Sequence, residues 1–109
     1  MATRAVTEHA LQQAILVALG NSSLCRIWRQ NAGTFRSMDG SRVVQAAPPG
    51  AADLTGILAD GRRLELEVKA GEGRQSAQQR RWQHMIESHG GVYAIVRSVQ
   101  DALDVVRRA

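Results

Sequence analysis

"ADLTGILADGRRLELEVKA" spans residues 52–70, and the way its two halves pair decides what the rest of the chain can become. Asp60-Gly61 separates two runs in which apolar and polar residues alternate, the pattern of a β-hairpin. A two-residue loop would pair Ala59 with Arg62, setting Leu54 opposite Glu67 and Leu58 opposite Arg63. Leucine and charge would then mix on both faces. A three-residue loop, Ala59-Asp60-Gly61, puts glycine at the left-handed position such loops favour. Leu58 then pairs with Arg62, Gly56 faces Leu64, and Leu54 pairs with Leu66. One face collects Leu54, Leu58, Leu64, Leu66 and Val68; the other collects Asp53, Thr55, Ile57, Glu65, Glu67 and Lys69. A slip of one residue inverts a strand, so the segregated register is the expected one.

That register sets Asp53 directly across from Glu67, with Cβ atoms roughly 4.5–5.5 Å apart. Like charges so placed are destabilising and call for a compensator. Lys69, two residues beyond Glu67 on the same face, supplies one positive charge. A hard divalent cation serves better, because Mg²⁺ is held by one or two carboxylates and leaves room for phosphate oxygens. Asp53 and Glu67 are therefore candidate metal ligands, with the main-chain carbonyl of Val68 as a further oxygen. Lys69 could position an attacking water or neutralise charge that builds on a phosphate. Lys69 is also the one lysine among 14 basic residues, the rest being arginine. A compact ammonium at this position is a choice that a planar guanidinium would not satisfy. Glu65 shares the face but lies nearer the turn, and reads as a surface acid or as a supporting acid outside the metal shell.

Downstream, a helix is expected from about Ser76 to His89, closed by Gly90-Gly91, with Trp82, Met85, Ile86 and His89 as its inner stripe. Ser76 and Gln79 have the spacing of a capping box. Gln79 also leans toward the interior with Trp82 and Ile86, so helix capping and a place at the acid pair both stand. "VYAIVRS" (92–98) reads as a strand, and Val99, Leu103 and Val106 as a closing helix. Upstream, Thr7 is a candidate N-cap and Gly20 a stop, with Leu11, Ala14, Ile15, Ala18 and Leu19 at helical spacing between them. Glu8 falls on the buried side of that helix, although a first-turn acid also suits the helix dipole. "LCRIWRQ" (24–30) reads as a strand, "NAGTFRSMDGS" (31–41) as a polar, glycine-punctuated loop, and "RVVQA" (42–46) as a short strand. The arginines between 24 and 45, interleaved with Trp28 and Phe35, suit a phosphate backbone or simply a solvated hairpin.

The whole is expected to be a single α/β domain over 1–109, with helices around one mixed sheet. A net charge of +4 and a pI near 10.6 favour a polyanionic partner. "MATRAVTEHA" lacks the apolar stretch of a signal peptide, and Ala14 to Leu19 is far too short to cross a bilayer. The lone Cys25, expected in a buried strand, leaves no internal disulfide and suits a reducing compartment, so the expected setting is cytoplasmic. The three histidines have no zinc spacing.

"PGAADLTGIL", "LELEVKAGEGRQSAQQRRW" and "GGVYAIVRS" resemble the VRR-NUC (virus-type replication-repair nuclease) family of the PD-(D/E)xK nuclease superfamily. The resemblance covers residues 48 to 98 closely and the first helix more loosely. It implies the superfamily's mixed-sheet core, a Mg²⁺ or Mn²⁺ site, and endonucleolytic cleavage of DNA, often at Holliday junctions or flaps. Carried over by position, Asp53 and Glu67 would be metal ligands, Lys69 the catalytic lysine, Gln79 the glutamine opening the following helix, and Glu8 the acid of the first helix. It also implies a homodimer, in which two sites related by symmetry cut opposing strands. Arg29, Arg36, Arg74, Arg80 and Arg81 are candidate DNA contacts. Two departures stand out: Ala52 where the family often has proline, and Ser76-Ala77-Gln78-Gln79 without the usual proline and acid. The competing expectations are a nucleic-acid-binding module without catalysis and a scaffold subunit that keeps the nuclease fold.

Overall fold

The computed structural model describes residues 7–30 and 33–109, the segments 33–35 and 44–46 by their main chain alone. The hairpin takes the segregated register. Leu54 pairs with Leu66 and Gly56 with Leu64, and the Leu58 N–H donates to the Arg62 carbonyl at 2.8 Å. Gly61 has φ +94°, the left-handed backbone that its loop position requires. Asp60 braces the turn by accepting from the Arg62 amide at 3.0 Å and from its guanidinium at 2.7 Å.

Around this hairpin, β4 (Leu54–Leu58) and β5 (Arg63–Val68), the chain adds α1 (Glu8–Leu19), β1 (Cys25–Arg29), α2 (Ala77–Ser88), β6 (Val92–Val96) and α3 (Val99–Arg108). The sheet runs β1-β4-β5-β6; β1 and β5 are antiparallel to β4, and β6 is parallel to β5. Among the described residues the fold is a single α/β domain with a mixed four-stranded sheet and three helices. A separate two-stranded ribbon pairs β2 (Gly33–Arg36) with β3 (Val43–Ala47). The loop expected over 31–41 therefore contains a strand: Gly33-Thr34-Phe35-Arg36 has little alternation of its own and gains its ladder from β3. The Phe35 side chain lies outside the described residues.

Alternation along the strands sorts the side chains into two cores. Leu54, Leu58, Leu64, Leu66, Val68 and Val96 pack on α1 and α3 through Leu11, Ile15, Leu19, Ala102 and Val106, with Cys25 beside them. Burial pushes the Cys25 thiol pKa up, as suits an inert strand residue. Ala52, Ile86 and Tyr93 form the smaller core on the opposite face, with Trp82 and Ile95 against it. The stripe expected of α2 is narrower than its periodicity suggests: Ile86 is buried and Trp82 half-buried, while Met85 and His89 are exposed. α2 meets the sheet through Gln79, Trp82 and Ile86. Among the described residues, no helix is long and apolar enough to cross a membrane.

Candidate active site

β5 carries two kinds of residue in alternation. Leu64, Leu66 and Val68 enter the larger core, and Glu65, Glu67 and Lys69 project to the α2 face. Asp53, the residue before β4, reaches the same place. Its Oδ2 accepts from the Val68 N–H at 2.8 Å, which ties the end of β4 to the end of β5. The Lys69 N–H donates to the Val96 carbonyl on β6 at 3.1 Å. Main-chain groups alternate sides along a strand, so the Val68 amide and carbonyl turn toward Asp53.

Glu67 is 3 % exposed. Its Oε1 accepts from Gln79 Nε2 at 3.0 Å and lies 3.8 Å from Lys69 Nζ. Its Oε2 is buried without a hydrogen-bond partner. Burial first, and then the neighbouring Asp53 carboxylate, push the Glu67 carboxyl up to about 8; Lys69 opposes the shift and does not cancel it. The sheet thus forces two acids together and provides less positive charge than they need. Nearby Tyr93, its hydroxyl 3.4 Å from Gln75 Nε2, is raised to about 12, chiefly by burial, and remains a neutral phenol.

Gln79 does both things its sequence position allowed. Its Oε1 accepts from the Ser76 N–H at 2.8 Å, and Ser76 Oγ accepts from the Gln79 N–H at 3.1 Å, closing the capping box. That leaves its amide N–H₂ to hold Glu67. Glu8 is exposed at the start of α1 and not on its buried side, which is formed by Leu11, Ile15 and Leu19. Its Oε1 still reaches the Ala70 N–H at 3.4 Å, one residue beyond Lys69.

Glu65 is no surface acid: it is fully buried. Its Oε1 accepts from Trp82 Nε1 at 2.8 Å, and its Oε2 lies 3.8 Å from Arg63 Nε. Glu65 and Glu67 therefore grip Trp82 and Gln79, which stand three apart on α2. The signal for Trp82 was present in the sequence, since an inward indole N–H needs an acceptor and an acid shares the facing strand. Gln30 was missed altogether. Its N–H donates to the Asp53 carbonyl at 2.8 Å and its side chain to the Ala52 carbonyl at 3.1 Å, holding the approach to Asp53.

The arginines divide. Arg74, Arg80 and Arg81 are exposed around the start of α2, and Arg36 is exposed on β2. Arg29 pairs with Leu54 and so belongs to the face opposite the acid pair, with Nε and Nη2 buried and unpartnered. Among the described residues no three His, Cys, Asp or Glu side chains converge on one point. The oxygens available to a cation are the two carboxylates and the Val68 carbonyl. Hollows of about 390 and 370 Å³ lie beside the α1–β1 connection and not over the acid pair. The chain matches no protein-family profile and no curated protein.

Proposed function

We propose that this chain is a metal-dependent DNA endonuclease that hydrolyses phosphodiester bonds, with a PD-(D/E)xK-type core of the VRR-NUC kind. The observation that carries the proposal is the Asp53–Glu67 pair on adjoining strands with the only lysine of the chain beside it. A buried carboxylate oxygen with no donor, in a pair whose Glu67 proton is held up to about pH 8, suits a hard cation. Asp53, Glu67 and the Val68 carbonyl would hold Mg²⁺ or Mn²⁺, which when bound would neutralise the pair and polarise a phosphodiester.

The chain's own residues do the rest. The Val68 amide aims Asp53. Gln79 and Lys69 both address Glu67 Oε1 and leave the buried Oε2 without a donor. Lys69 is 14 % exposed, so its ammonium works in a setting where charge is poorly screened. There it can orient water toward phosphorus and balance the charge that develops on phosphate oxygens. Glu8 fixes the Ala70 amide and with it the chain just past Lys69. Branched DNA as substrate, and a two-fold dimer cutting opposing strands, belong to the same proposal and come from the family likeness.

Purified protein incubated with labelled four-way junction, flap, single-stranded and duplex DNA tests it. With Mg²⁺ or Mn²⁺, paired nicks in the junction are expected. They should be lost in EDTA and reduced at least about 10²-fold in Asp53→Ala and Lys69→Ala, with DNA binding by Lys69→Ala nearly intact. Tight binding without a cut in either metal would leave a binding module in place of an enzyme.

A further inference from the structure

α2 covers only part of its sheet face. It packs on β6 through Ile86, Tyr93 and Ile95, and on the β1–β4 side of the same face Trp28 and Ile57 stay exposed among the described residues, while Thr55 between Trp28 and Glu65 is buried. The register orders that side in rows. Arg26 pairs with Ile57, and Ile57 with Arg63; Trp28 pairs with Thr55, and Thr55 with Glu65. The next row is Gln30, Asp53 and Glu67. Trp28 is 53 % exposed and Ile57 45 %, with exposed Arg26 and Arg63 on either side of Ile57. Strand spacings of roughly 4.8 Å across and 6.7 Å per two residues put Trp28 about 8 Å from Asp53, Cα to Cα.

An exposed indole beside an aliphatic side chain, bracketed by two guanidinium groups, matches an unpaired nucleotide strand: a base for the ring and phosphates for the arginines. A second copy of this chain fits worse. A two-fold contact meets its own patch, which would press two exposed arginines against their copies, with the buried Glu65, 3.8 Å from Arg63, as the one acid beside them. We infer that this β1–β4 face is a binding platform for single-stranded DNA, with one base stacked on Trp28 and flanking phosphates on Arg26 and Arg63. This deepens the nuclease reading and rests on it for where the scissile phosphate lies, one row from the stacked base. An enzyme built in this way takes its substrate where the strand is already unpaired, since a base inside a duplex offers no face to the indole.

Binding of labelled oligo-dT in EDTA tests the platform apart from cleavage. Trp28→Ala is expected to weaken binding about 5–150-fold, the loss of one stacked base, while Trp28→Phe stays within about threefold. Trp28→Phe also guards against misfolding, and it should lose most of the tryptophan quenching that DNA produces in the wild type, Trp82 being half-buried. Replacing Arg26 and Arg63 together by alanine should flatten the salt dependence by about 1.4 in log–log slope, two single-strand phosphates at roughly 0.7 each. Unchanged oligo-dT affinity in a folded Trp28→Ala protein would overturn the inference, as would a fall in its solution mass. Tighter binding of oligo-rU than oligo-dT would overturn the choice of DNA. The same proteins assayed with Mg²⁺ separate the two proposals. Trp28-dependent binding without cleavage sinks the nuclease and keeps the platform, whereas cleavage indifferent to Trp28 does the reverse.

Discussion

Burial and the neighbouring Asp53 hold the Glu67 proton up to about pH 8, whereas an unperturbed glutamate ionises near 4.5. Between those values the folded chain binds more protons than the unfolded one, so stability falls as pH rises through this window and levels off above it. In EDTA, Tm is expected to drop on the order of 5 °C from pH 5 to pH 8. Glu67→Gln should remove most of that slope and melt above the wild type at pH 8. Parallel wild-type and variant profiles would mean that the destabilising charge resides elsewhere. The acid pair itself was legible from sequence, because turn type and side-chain alternation settle a register with no knowledge of the helices. Burial at the pair was not. Period two names the face on which Glu65 lies and says nothing of what will cover it, so an acid that ends fully buried against Trp82 read equally as a surface or a supporting residue.

At the scale of elements, α2 is fastened to β5 by polar bonds more than by its small apolar stripe. Trp82→Phe keeps the ring but leaves the buried Glu65 oxygen without its donor. A cost of roughly 1–3 kcal/mol is expected in urea unfolding, with cleavage reduced as well because Gln79 lies one turn away. Gly50 holds the other side of this helix. Its φ is +87°, and an added Cβ would stand 2.5 Å from the Gln78 carbonyl oxygen. Gly50→Ala should therefore displace the start of α2, lowering Tm by several degrees and loosening Gln79 from Glu67. An unchanged Tm would show that the start of α2 can shift without loss. The helix was readable from its capping box. Its docking was not, since both uses of Gln79 were compatible with its spacing, and only the approach of helix to strand reveals that one amide serves both. The strand at Gly33–Arg36 escaped for a related reason, its ladder being supplied by a partner and not by its own residues.

The whole molecule is layered, with α1 and α3 under one face of the sheet and α2 over part of the other. A cation held by Asp53 and Glu67 would bind the folded chain alone and stabilise it by mass action. Saturating Mg²⁺ or Mn²⁺ is expected to raise Tm by roughly 5–15 °C at pH 8, and Asp53→Asn should respond little; an equal rise in that variant would place the ion elsewhere. Layering also makes β5 a sentence written in two interleaved scripts. Residues 64, 66 and 68 spell out whether the chain exists, while on the proposed reading 67 and 69 would spell out what it does; 65, clasped by an indole, would belong to both. Substituting every position from 64 to 69, read once by cellular abundance and once by cleavage, should give two combs out of phase. Selection for function would preserve residues in this strand that selection for sturdiness alone would discard.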